Sequence, residues 1–387
     1  MPEPIYPLAS STWGQEEINA INEVISSDMY TMGSKVKEFE MEYAKHFGHG
    51  HAVMCNSGSS ANLLMLALLK LKYKLTGDII VPAVGWSTSY FPVNQNGFKL
   101  NFVDVDPTTF NIDTTKIESA ITPNTCAIMA INLLGNPCDY DAIYKIADKH
   151  NLFVIEDNCE SMGAKYDGKY TGSHGIIGTQ SFFFSHHLQT MEGGMVTVDN
   201  SEDADWLRSL RAHGWCRDLS DSNPLFQKTG GWKDNFTFVT PGYTVRPLEM
   251  SGAIGLEQLK KWDEILSARL KNKEHFFKLF GDQKYFKLQK TQGESSWFSF
   301  GCICTGELKG RRDELVTALT EAGIQSRPLA SGNWLRQPVM NMLDCITNGD
   351  YPGADEIEDE GFFVGNGMKD VSEGIDAMYE VVKKLTS

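Results

Sequence analysis

Ser181-Phe182-Phe183-Phe184-Ser185-His186-His187-Leu188-Gln189-Thr190-Met191-Glu192-Gly193-Gly194 is the stretch from which the rest of this chain can be read. A serine leads an aromatic run and two adjacent histidines follow. An acidic-Gly-Gly turn then feeds Met195-Val196-Thr197-Val198, which reads as a β-strand. His186 stands five positions after Ser181, and no lysine occurs between Lys169 and Lys228. Adjacent histidines often serve only packing, yet an imidazole is the side chain best suited to moving a proton near neutral pH. If the segment is extended, neighbouring side chains point to opposite faces, so His187 reads as a structural or supporting residue.

Upstream, residues 78–84, 100–105, 126–131 and 152–157 are short apolar runs that read as buried strands. Between the last two, 140–150 has helical spacing with Asp139 as its cap. Such alternation implies an α/β fold, a mostly parallel central sheet with helices on both faces. Residues 220–236 are polar, contain Gly230-Gly231 and read as a surface loop. After Arg246-Pro247 a long helical pattern runs through Leu256, Leu259, Trp262, Leu266 and Leu270. The remaining third has strand-helix-strand character. We therefore expect a large domain over 1–250, then a linking helix and a smaller C-terminal α/β domain over 251–387.

The 387 residues, 41% hydrophobic and 22% charged, are ordinary for a globular enzyme. A net charge of -15 argues against DNA, RNA or an anionic membrane as partner. The eight cysteines are scattered without a C-x-x-C pair, and the start, Met1 to Tyr6, lacks a secretion signal. Free thiols in the cytoplasm are the expected state. Cys302 and Cys304 have no further ligand at metal-site spacing, so no metal centre is expected.

Three further motifs carry a chemical reason. Asn56-Ser57-Gly58-Ser59-Ser60-Ala61-Asn62 leads into an apolar helix, and a helix N-terminus with hydroxyls and a glycine suits a phosphate. A serine-capped core helix is the other reading. Asp157 ends an apolar strand, where α/β folds place ligands; it also reads as a helix cap. Trp86 follows the 78–84 strand, either as a platform for a planar ring or as a buried structural residue.

Together these residues resemble the sugar aminotransferase family of fold-type I pyridoxal-phosphate (PLP) enzymes. The likeness runs from Tyr6-Pro7-Leu8-Ala9 through Asn132-Leu133-Leu134-Gly135-Asn136-Pro137 and Glu156-Asp157-Asn158-Cys159-Glu160-Ser161. It continues through Arg211-Ala212-His213-Gly214-Trp215, Val245-Arg246-Pro247-Leu248-Glu249, Gly293-Glu294-Ser295-Ser296-Trp297-Phe298 and Phe363-Val364-Gly365-Asn366. In that family a lysine stands five residues after the strand-end serine and holds the cofactor covalently. Here that position is His186, as in the family's dehydratase branch.

The resemblance implies that Gly58, Ser59 and Ser181 hold the phosphate of non-covalently bound PLP or pyridoxamine phosphate (PMP). It implies that Trp86 stacks on the ring, that Asp157 pairs with its nitrogen and that Glu160 lies nearby. A homodimer with shared sites is implied, with His213, Arg217, Tyr243 and Arg246 reaching the substrate across the interface. Thr244 occupies the place of an asparagine used on the phosphate from the partner subunit, and Gly367 that of a histidine. The activity implied is loss of the C3 hydroxyl from a nucleotide-linked 4-keto-6-deoxy sugar, with GDP and the manno configuration inherited from the resemblance. Glutamate would be the amino donor, ammonia a product and His186 the proton carrier. The setting implied is deoxysugar supply to lipopolysaccharide O-antigen through the colitose pathway. Amino transfer to make an amino sugar, and an inactive binding relative, are the alternatives.

Overall fold

The structure is a computed structural model that describes residues 4–387. Met1–Glu3, part of the start read above, lie outside the described residues. An eight-stranded sheet runs in the order His51–Cys55, Gly194–Val198, Gly178–Ser181, Phe153–Asp157, Thr125–Ile131, Asp78–Pro82, Lys99–Val103 and Cys345–Thr347. Gly194–Val198 alone runs against its neighbours; the rest share one direction. Side chains of the central strands alternate between two separate cores. Ile79, Val81, Met129 and Ile155 enter one, while Ile80, Ile128, Ala130 and Val154 enter the other. Burial on both faces explains why these strands read as unbroken apolar runs.

A second sheet of four antiparallel strands, Phe286–Leu288, Ser299–Cys304, Gly361–Gly365 and Ser326–Arg327, encloses its own core. Cys302 and Cys304 are buried in that core, where they act as small apolar side chains. The chain beyond 250 serves both sheets, since Cys345–Thr347 returns to the edge of the large one. A division at 250/251 is thus a proposal about folding units. Among the described residues no helix is long and apolar enough to cross a membrane.

The single long helix expected after Arg246-Pro247 is two, Glu249–Lys260 and Trp262–Phe280, parted at Lys261 where ψ is 2°. The apolar stripe shifts with the break. Leu270 is 38% exposed, and the buried line of the second helix is Trp262, Ile265, Arg269, Asn272, Phe276 and Phe280.

One buried ion pair fixes the strand that leads to the Gly58 turn. Arg211 Nη1 donates to Glu40 Oε1 at 2.5 Å and to the Met54 carbonyl at 2.6 Å, while the Met54 N–H donates to Glu40 at 2.8 Å. Replacing Arg211 by leucine strands the Glu40 charge in the interior. Urea unfolding should then show a loss of about 3–5 kcal/mol.

Candidate active site

Helix Gly58–Leu71 starts at Ser57, whose Oγ accepts the Ser60 N–H at 3.1 Å. The capping reading holds: Ser57 caps a core helix, and the first-turn N–H groups of Gly58 and Ser59 have no partner within it. A Cβ on Gly58 would stand 2.6 Å from Ser181 Cβ and 3.0 Å from Cys159 Sγ. One on Gly194 would stand 2.2 Å from the Ser57 carbonyl oxygen. Only glycines let the helix end, the Ser181 strand end and the Asp157 strand end converge here. Exposed Ser59, the N–H groups and the Ser181 hydroxyl form a donor set suited to a phosphate monoester. The Asn56 N–H, just before this turn, donates to the Val245 carbonyl at 3.0 Å, which brings the backbone that follows Thr244 next to it in space.

The strand Phe153–Asp157 ends in two carboxylates with opposite duties. Glu156 is fully buried and spent on structure, accepting the N–H groups of Gly172 at 2.7 Å and Gly175 at 2.5 Å and the Tyr140 hydroxyl. Asp157 points the other way. Its Oδ2 accepts Asn62 Nδ2 at 2.8 Å and Ser89 Oγ at 2.6 Å, and its Oδ1 accepts the Cys159 N–H at 3.1 Å. It does not cap a helix. The Asn62 amide is itself oriented by Thr179 Oγ1, which donates to its oxygen at 2.7 Å. Sequence reasoning missed Asn62 and Ser89. The usable signal was an amide inside an otherwise apolar helix.

Trp86 is 55% exposed at the end of the neighbouring strand, so the buried structural reading fails and an open indole face remains. Glu160 accepts the Leu134 N–H at 3.0 Å. Burial pushes its carboxyl up to about 7; the Leu134 bond opposes the shift and the Asp157 charge adds to it.

Residues 183–187 turn rather than run extended, with the His186 N–H on the Phe183 carbonyl at 2.8 Å. His187 is buried, and its Nε2 lies 3.2 Å from the Ser296 carbonyl, a structural role as expected. His186 makes no side-chain hydrogen bond at Nδ1. Its ring packs edge-on against Phe298, centroids 5.1 Å apart. Burial, with the Arg269 charge adding, pulls its pKa down to about 3, so the imidazole is neutral at pH 7. The site thus offers an uncommitted neutral base, and Phe298 and Arg269 behind it went unread.

His213, Arg217, Tyr243, Thr244 and Arg246 lie around a second surface. Thr244 Oγ1 and His213 Nδ1 are 2.6 Å apart. The Arg217 guanidinium stacks 3.8 Å from the Trp215 ring centroid, with Arg246 at 5.7 Å. Tyr243 OH reaches Asn96 at a long 3.4 Å. Gly367 lies by Ser10, whose Oγ a Cβ there would approach to 2.8 Å.

Three histidines resist protonation in the fold. Burial lowers His49 to about 4, His186 to about 3 and His187 well below its usual 6.5. The unfolded chain takes up these protons as pH drops through 6.5 while the folded chain does not. This contribution to stability is therefore complete above 6.5 and is lost progressively towards the folded values. Each refused proton steepens the loss by about 1.4 kcal/mol per pH unit. His49→Gln should flatten the pH dependence of urea unfolding between 6.5 and 4 by one proton, and an unchanged slope would contradict this reading.

The DegT/DnrJ/EryC1/StrS aminotransferase family model matches residues 11–381. GDP-4-keto-6-deoxy-D-mannose 3-dehydratase of Yersinia pseudotuberculosis is 49% identical, covering 98% of each chain. The structure of the E. coli enzyme of that name with bound hydrated PLP superposes with a TM-score of 0.95 at 45% identity, covering 98% of this chain and 100% of that one. Another, of a GDP-4-keto-6-deoxymannose-3-dehydratase with a trapped PLP-glutamate geminal diamine, gives 0.94 at 45% identity over 97% and 100%. By sequence and by structure over nearly its whole length, this chain belongs to the DegT/DnrJ/EryC1/StrS aminotransferase family.

Proposed function

We propose that this chain is a PLP/PMP-dependent 3-dehydratase that removes the C3 hydroxyl of GDP-4-keto-6-deoxymannose, with glutamate as amino donor. The observation that carries the reading is His186, a neutral imidazole without a partner at Nδ1, on a segment with no lysine between Lys169 and Lys228. The named relatives, similar over nearly the whole chain, support the substrate and the use of glutamate.

In this reading Gly58, Ser59 and Ser181 would hold the cofactor phosphate, and Thr244 would reach it from the partner subunit. Trp86 would cover one ring face, Asp157 would pair with the ring nitrogen and Glu160 would lie near it. When bound, the cofactor supplies an amine that joins the sugar C4 carbonyl and a protonated ring that takes up electrons. His186 would take a proton from the cofactor's C4′ carbon and, then protonated, would give it to the C3 hydroxyl, which would depart as water. Apolar Phe298 shields the imidazole from solvent. An imidazole cannot recapture the cofactor covalently as a lysine amine does, so elimination rather than amino transfer is the open route. Hydrolysis then releases ammonia and a 3-deoxy-4-keto sugar.

Exposed Met29, Tyr30, Phe183, Phe184, Met191 and Leu248 support a homodimer. In it His213, Arg217, Tyr243 and Arg246 would reach the partner's substrate. We place the reaction in the cytoplasm, in deoxysugar supply for lipopolysaccharide and the colitose pathway. The test is ammonia release from GDP-4-keto-6-deoxymannose in the presence of PLP and glutamate. His186→Asn should retain PLP by absorbance titration yet lose roughly 10²- to 10⁴-fold in rate. Wild-type ammonia release by His186→Asn would overturn the assignment.

A further inference from the structure

Behind His186 lies a strained turn. Trp297, 6% exposed, has φ 49°, a left-handed conformation that a bulky aromatic residue rarely adopts. Three successive carbonyls of this turn are taken by side chains. Ser296 O lies 3.2 Å from His187 Nε2, Trp297 O accepts Asn366 Nδ2 at 2.8 Å and Arg269 Nη1 at 3.3 Å, and Phe298 O accepts Arg269 Nη1 at 3.0 Å. Arg269 is 1% exposed and also donates to the Asn366 carbonyl at 3.1 Å. Among the described residues its partners are these main-chain carbonyls, and no carboxylate pairs with it. A buried cation without a counter-ion is costly, and strain of this kind persists only where the surroundings over-determine it.

The turn has functional groups on both sides. The Phe298 ring lies 5.1 Å from His186 and 5.8 Å from His187. On its other side the Phe298 N–H donates to Leu134 O at 3.2 Å, and Leu134, itself at φ 55°, donates its N–H to Glu160. Gly135 is a glycine because a Cβ would stand 2.5 Å from the Trp297 nitrogen.

We propose that Arg269 is a positioning residue for His186: it holds the Trp297–Phe298 turn so that the Phe298 ring fixes the imidazole, and it keeps a cation behind that ring. The charged or titratable groups acting on His186 are Arg269, from helix Trp262–Phe280, and neighbouring His187; Phe183 and Phe298 present apolar faces. Neither group favours an imidazolium. Burial lowers the Arg269 pKa to about 9, which leaves it charged at neutral pH.

The inference rests on His186 being the proton carrier, and its test has a readout independent of that chemistry. In ¹⁵N-histidine-labelled protein, Arg269→Gln should raise the His186 imidazole pKa. Arg269→Lys keeps the charge but, being shorter, withdraws the donor from the three carbonyls that Nη1 serves. With the amine withdrawn from Trp297, Phe298 and Asn366, that pKa should stay in place while kcat falls roughly 10- to 100-fold with KM little changed. Phe298→Leu keeps all the Arg269 bonds and should lower kcat by a similar factor, so the proposal stays testable if Arg269→Gln does not fold. Folded Arg269→Lys and Phe298→Leu with wild-type kcat would overturn it, as would a folded Arg269→Gln with an unshifted imidazole. Absence of dehydration by the wild type would instead count against the proposed function, while the imidazole titration still decides the role of Arg269.

Discussion

The site depends on the close approach of Gly58 to Ser181. A side chain at 58 would collide with Ser181 and Cys159, and one at 194 would collide with the Ser57 carbonyl. With hydrogen in both places, a helix N-terminus and two parallel strand ends meet at one point. The helix brings N–H groups without intrahelical partners, the Phe153–Asp157 strand a carboxylate and the Gly178–Ser181 strand a hydroxyl, a set suited to an anion. The buried Arg211–Glu40 pair fixes Met54 just before this turn, so the cradle is braced from below by charge as well as by packing.

Two pairs of neighbours divide their work in the same way. Glu156 is consumed by N–H groups of the loop at 172–175, whereas Asp157 faces Asn62 and Ser89. His187 has its Nε2 3.2 Å from the Ser296 carbonyl, whereas His186 has no such main-chain anchor and its buried Nδ1 is unpartnered. In each pair one residue secures the segment, and its neighbour is the one to which the proposed function gives a chemical role.

Much of the large sheet was legible, because strands buried on both faces leave unbroken apolar runs. The Gly-Ser turn, the Asp157 strand end and the missing lysine are local in sequence and could be read directly. What escaped reading comes from distance along the chain. Phe298 and Arg269 reach His186 from more than 80 residues away, and no periodicity announces such a contact. Cys345–Thr347 is too short to mark itself as a strand, and it joins the sheet only through pairing with Lys99–Val103. The break at Lys261 was hidden because apolar residues on both sides fit a single helical period, although Leu270 turns out to face solvent. Arg269 did leave a trace, as a charge within the otherwise buried stripe of its helix.

The account turns on what leaves the sugar. Mass spectrometry of the nucleotide-sugar product, after incubation with PLP, glutamate and GDP-4-keto-6-deoxymannose, tests this most directly. A sugar lacking the C3 oxygen and carrying no nitrogen, with 2-oxoglutarate formed alongside, is the predicted result. An amino sugar that retains its C3 hydroxyl would contradict the account.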